Sequence, residues 1–89
     1  MAVLVTAEVP GQTQEGYDGM LNVLDGPIRE AKGFIAHFAV SAENGWRCME
    51  LWETEDDANQ FFAKSVHPNL PPGIKPRRSF VKLHSLVRS

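Results

Sequence analysis

Apolar and polar residues change period along this chain, and the changes mark its elements. Ala2 to Val9 (AVLVTAEV) is rich in Val and apolar on both parities, the pattern of a strand covered on both faces, and Pro10-Gly11 ends it. Tyr17, Met20, Leu21, Leu24 and Ile28 then recur at helical spacing, the stripe of a helix lying on an apolar surface. Pro27 predicts a bend or break there, with Asp25 placed to cap a second short segment over Ile28 to Ala31. Two strands follow, over Phe34 to Glu43 and Trp46 to Glu53. Asn44-Gly45 joins them as a two-residue type I′ turn, which needs positive φ at both central positions. Thr54 fits an N-cap with Asp57 in the first turn. Ala58, Phe61, Phe62 and Ser65 or Val66 supply the buried face of the second helix, which His67-Pro68 closes. The proline-rich run Pro68 to Pro76 rules out both helix and central strand and reads as a stiff surface loop, a candidate lid. Ser79 to Val87 is the last strand.

The order β-α-β-β-α-β is the split βαβ of ferredoxin-like α+β folds: a four-stranded antiparallel sheet with two helices on one face. Residues 1–89 form one such domain. A two-residue loop at Asn44-Gly45 pairs Glu43 with Trp46, Ser41 with Cys48, Ala39 with Glu50 and His37 with Trp52. One face of the hairpin then carries His37, Ala39, Ser41, Trp46, Cys48, Glu50 and Trp52. The other carries Ala36, Phe38, Val40, Met49 and Leu51, which is core or interface material, and a face-to-face homodimer is its natural cover.

Composition narrows the partners. A net charge of −2 gives no electrostatic reason to expect nucleic acid or an anionic membrane surface. One cysteine cannot form an internal disulfide, and the start of the chain lacks the basic flank and long apolar run of a signal peptide. A cytoplasmic protein without a membrane span is the expectation.

His37 is the first candidate for chemistry, because the register sets it diagonally across from Glu50. A carboxylate there can orient the imidazole as a base toward a phenolic or enolic substrate, giving an anion that reacts with oxygen or closes a ring. The alternative is a histidine that only satisfies its hydrogen bonds within the sheet. Glu50 between two tryptophans needs a donor or cation. Lys82 and His84, on one parity of the last strand, could supply it, as an ion pair or within a site. Trp46 and Trp52 offer flat walls for an aromatic ligand, or fill the core. Tyr17 can project its hydroxyl into a cavity. Cys48 fits packing better than nucleophilic catalysis, and Arg77-Arg78 can attract an anionic substrate group or stand in solvent. His37, His67 and His84 lie on separate elements, and no metal site is expected.

Gly33-Phe34-Ile35, the Asn44-Gly45 hairpin, Glu50-Leu51-Trp52-Glu53-Thr54, Phe61-Phe62 and Leu70-Pro71-Pro72-Gly73 resemble the antibiotic biosynthesis monooxygenase-like family of dimeric α/β barrels. The resemblance covers nearly the whole chain. It implies a cavity between sheet and helices, lined by Trp52, and a small-molecule aromatic or polyketide-like ligand handled without a cofactor. Quinone-forming members of the family carry an asparagine and a tyrosine where this chain has Cys48 and Ala58, so that particular chemistry loses two polar groups. Haem-degrading members need an asparagine in the first strand and a tryptophan in the second helix, and neither is present. The function expected is a monooxygenase-like or cyclase-like enzyme, with a non-catalytic binding protein as the alternative and a haem-degrading oxygenase behind both. The site residues expected are His37 and Glu50 for proton handling, with Trp46, Cys48, Trp52, Tyr17 and His84 around the substrate.

Overall fold

The computed structural model describes residues 2–89. β1 (Val3–Pro10), α1 (Gln14–Arg29), β2 (Phe34–Ala42), β3 (Gly45–Trp52), α2 (Glu55–Phe61) and β4 (Arg77–Lys82) follow one another in the expected βαββαβ order. The strands form one antiparallel sheet, ordered β2-β3-β1-β4, with β2 and β4 at its edges. This is the ferredoxin-like α+β arrangement.

Side-chain caps start both helices. Thr13 Oγ1 accepts from the Gly16 amide at 3.0 Å, and Thr54 Oγ1 accepts from the Asp57 amide at 3.0 Å. Pro27 does not break α1, which runs unbroken to Arg29. Asp25, expected to cap a second segment, instead pairs with Arg29 at 3.1 Å on the exposed side. Holding helical phase through Pro27 keeps Ile28 on the same stripe as Leu24, and Ile28 is one of the buried core residues. A break would take that side chain out of the core, which outweighs the one backbone hydrogen bond that proline forfeits near a helix end.

The hairpin register differs from the expected one. Ala42 pairs with Gly45, so the loop is Glu43-Asn44 and His37 faces Glu50 rather than Trp52. No non-glycine residue has positive φ among the described residues, and Gly45 is not among the positive-φ glycines, so the type I′ turn is not formed. Gly45 serves β1 instead: it pairs with Pro10, and a Cβ there would run into the Val9 carbonyl oxygen. The pairing moved by two positions in sum, so parity held. His37, Cys48, Glu50, Trp46 and Trp52 still share one face, and that face carries the helices.

The last strand begins at Arg77 rather than Ser79 and stops at Lys82 rather than Val87. Its neighbour β1 begins at Val3, and the Leu83 amide bonding to the Ala2 carbonyl is the last rung available. His84 and Lys82 are therefore at or beyond the sheet end and exposed, and neither reaches Glu50. The core sits between sheet and helices, with Val3, Val5, Ile28, Trp52, Ala58 and Phe61 buried together. On the other face Phe38, Val40 and Val81 stand exposed.

After Phe61 the backbone widens into a π turn over Phe62–Val66 and then tightens into a 3₁₀ turn over His67–Asn69. Leu70 to Pro76 follows without regular structure, apart from a turn at Pro72-Gly73.

Candidate functional site

A chain of hydrogen bonds crosses the helix-covered face. The Tyr17 hydroxyl lies 2.7 Å from His37 Nε2, and His37 Nδ1 lies 2.7 Å from Glu50 Oε2. Trp52 Nε1 donates to the other carboxylate oxygen, Oε1, at 2.8 Å. Tyr17 comes from the first turns of α1, His37 from edge strand β2 and Glu50 and Trp52 from β3. Direct pairing of His37 with Glu50 across the ladder places imidazole and carboxylate side by side. Their side chains are 17% and 21% exposed, so solvent competes weakly for these bonds.

Burial and nearby negative charge set the protonation of Tyr17. Burial first, then the negative potential of Cys48, Glu50 and Asp18, pushes the Tyr17 hydroxyl up to about 12, so it keeps its proton at neutral pH. A hydroxyl that keeps its proton can donate to Nε2 in the tautomer whose Nδ1–H donates to Glu50, and that is the arrangement in which Nε2 can take up a proton. The Tyr17 oxygen retains lone pairs to accept a proton from a third group.

These side chains border a partly enclosed cavity of about 110 Å³ between sheet and helices. Tyr17, His37, Cys48 and Glu50 line it, with Val5 and Ala7 as floor and Met20 and Leu24 of α1 as roof. Burial and the nearby Glu50 and Glu8 carboxylates push the Cys48 thiol up to about 11, leaving it protonated and a poor nucleophile.

Other expected residues lie elsewhere. Trp52 is fully buried behind the cavity, packed on Phe34 and Phe61 with centroids 5.5 and 5.6 Å away, and it acts on the cavity only through its bond to Glu50. Trp46 stacks on Tyr17 at 5.6 Å, and its buried Nε1 has no partner among the described residues. It backs Tyr17 without itself lining the cavity. His84 is exposed and outside the cavity wall.

Arg78 carries more of the site than the sequence suggested. It lines the cavity from edge strand β4, on the parity that sequence reasoning had assigned to Lys82 and His84. The π turn presents Phe62 to it, with the guanidinium carbon 4.0 Å from the ring centroid, and Phe80 lies at 5.0 Å. Its one hydrogen bond goes to the neutral Asn59 side chain at 3.0 Å. Among the described residues no three histidine, cysteine or acidic side chains gather to hold a metal ion, and no helix is long and apolar enough to cross a membrane.

No protein-family model matches the chain, and no curated protein matches it in sequence. Solved structures do match. SnoaB, a cofactor-independent oxygenase from Streptomyces nogalater, superposes with a TM-score of 0.73 at 9% identity, over 99% of this chain and 98% of that one. The monooxygenase ActVA-Orf6 of Streptomyces coelicolor, solved with nanaomycin D, gives 0.56 at 17% identity, over 99% and 90%. A conserved protein from Methanosarcina mazei gives 0.62 at 16% identity, over 92% of each chain. Along its length this chain has the fold of monooxygenases of the antibiotic-biosynthesis type.

Proposed function

We propose that this protein is a cofactor-independent monooxygenase acting on a small phenolic or polyketide-type aromatic, with His37 as base and Glu50 as the group that orients it. The observation that carries this reading is the Tyr17–His37–Glu50–Trp52 hydrogen-bond chain on a cavity wall. Glu50 holds Nδ1–H and offsets the positive charge the ring acquires when Nε2 takes a proton. The substrate hydroxyl gives its proton to the Tyr17 oxygen while Tyr17 passes its own to His37. The resulting phenolate reduces dioxygen and forms a carbon–oxygen bond at the ring. The ring proton passes to the outer peroxide oxygen as the O–O bond breaks, leaving a quinone and a hydroxide, which takes the proton held by His37 back through Tyr17 to become water. Substrate and dioxygen balance quinone and water, with the substrate as the reductant. The cavity volume of about 110 Å³ argues against haem, a far larger macrocycle.

Support also comes from the shared fold with SnoaB, a cofactor-independent oxygenase. The exposed apolar face with Phe38, Val40 and Val81 supports a second part of the reading, a homodimer joined through that face. The test of the chemistry is oxygen uptake with phenolic substrates by wild type and His37→Ala at equal folded concentration. The variant is expected to lose roughly 10²- to 10⁴-fold in rate, the usual contribution of a positioned base. Equal rates would remove His37 from the mechanism.

A further inference from the structure

We propose that the ligand of this cavity is a single-ring aromatic acid, its carboxylate held by Arg78 and its ring lying over Ala7 toward the Tyr17–His37 wall. The phenol end of this assignment rests on the reading above; the carboxylate end rests on Arg78 alone.

Three observations lead to it. The first is a cation without an ion-paired partner. Arg78 is the one arginine or lysine among the described residues lining the cavity, and it has no carboxylate partner within ion-pairing distance. Glu50 and Glu55 attract it only from beyond ion-pairing distance, and both Glu50 oxygens are engaged, by His37 and by Trp52. One N–H of the guanidinium bonds to Asn59, and the others have no acceptor among the described residues. Burial pulls this guanidinium below the usual arginine value, although it stays charged at neutral pH. A cation taken partly out of water against two phenyl rings is compensated best by an anion, and a planar two-oxygen group matches its donor fork.

The second is spacing. Arg78 pairs with Ala7, Ala7 with Cys48 and Cys48 with Ala39, so the row crossing the sheet from Arg78 is made of small side chains. His37 and Glu50 occupy the adjacent position of that sheet on β2 and β3. Edge strands β4 and β2 are three strand spacings apart, roughly 14 Å. With an arginine reaching in from one edge and a histidine and tyrosine from the other, the span left over the small row suits one ring with a substituent at each end. The third is volume. About 110 Å³ in a cavity that is only partly enclosed is of the order of the ~150 Å³ that holds a benzene and well under the ~300 Å³ at which pockets for larger ligands begin, which matches one ring with its polar ends toward the open sides.

Calorimetric titration with 4-hydroxybenzoate, 4-hydroxyphenylacetate, benzoate and the neutral 4-hydroxybenzamide tests the assignment. At least one of the three acids is expected to bind ten-fold or more tighter than the amide. Arg78→Gln should erase that preference, and Arg78→Lys, which keeps the charge, should retain part of it. His37→Ala should leave the preference for acid over amide in place. Circular dichroism on each variant verifies that it is folded, and a preference erased in Arg78→Gln but kept in Arg78→Lys excludes a mere packing effect. Equal binding of acid and amide, no binding by any of the four, or a preference that survives Arg78→Gln overturns the proposal. Oxygen uptake is read separately: acid preference without turnover leaves the Arg78 site and refutes the oxygenase, whereas turnover of neutral phenols without acid preference does the reverse.

Discussion

The two faces of this sheet are built from the same strands by strict alternation, yet they solve opposite problems. On the helix-covered face, residues at odd positions of β1 and even positions of β3 meet α1, α2 and the π turn. Glu50, His37 and Tyr17 are admitted there because each polar atom finds a partner. On the open face, Phe38, Val40 and Val81 stand exposed beside polar residues that include the Glu8–Arg47 ion pair at 2.7 Å. The first face holds polar groups inside an apolar shell, and the second holds apolar groups at an aqueous surface. The proposed homodimer would complete the second.

The largest expected effect lies where the covered face is tightest. Trp52 is 0% exposed and also donates to Glu50, so Trp52→Ala should cost about 3–5 kcal/mol in urea unfolding, with Trp52→Phe restoring much of the volume but not the hydrogen bond. A loss under 1 kcal/mol for the alanine variant would mean that the core does not centre on this ring. The matching experiment on the open face is Phe38→Asp. A charge placed twice in a symmetric apolar interface should weaken self-association by roughly 1,000-fold in sedimentation, while the isolated chain's unfolding shifts by under about 0.5 kcal/mol. Wild type that sediments as a monomer at high concentration would show the open face to be a true surface.

A smaller effect probes the electrostatics of the cavity. Cys48 is pushed up to about 11 from 9.0, so its thiolate fraction at pH 8, and with it iodoacetamide alkylation, should be about 100-fold below that of an unperturbed thiol. Tyr17 moves the same way, from 10.0 to about 12. Both groups hold their protons longer when folded. Their stabilisation is complete below the ordinary values and is lost as pH rises, so unfolding free energy should fall between about pH 9 and 12. Rising stability across that window would contradict the burial of both groups.

Much of this arrangement was legible in the sequence because alternation survives errors of register. The loop moved from Asn44-Gly45 to Glu43-Asn44, yet His37, Cys48 and Glu50 stayed on one face, since the pairing shifted by an even number. What failed was reading a glycine from its neighbours in sequence. Gly45 is demanded by the approach of β1, a contact with no local signature. Pro27 misled for a related reason: the core held by Ile28 outweighs the local penalty, and that core is visible only once the chain is folded. The end of β4 was set by where β1 begins, so its parity pointed to Lys82 and His84 when the cation in the cavity is Arg78. The π turn that brings Phe62 beneath Arg78 has no sequence pattern to announce it.

The smallest effect is the most discriminating between the two faces. Glu8 and Arg47 pair across β1 and β3 with side chains 43% and 46% exposed. In a lone chain such a pair is worth under about 1 kcal/mol, because water screens it and two long side chains must be held still. Covered by a second copy, the same pair loses its solvent, and removing one partner strands the other charge in an interface. A double-mutant cycle with Glu8→Ala and Arg47→Ala, read by unfolding at low and high protein concentration, separates these cases. The expected result is a coupling energy that starts within about 1 kcal/mol and grows with concentration. A coupling that is constant across the series would place this pair in water at every concentration, and the apolar residues beside it with it.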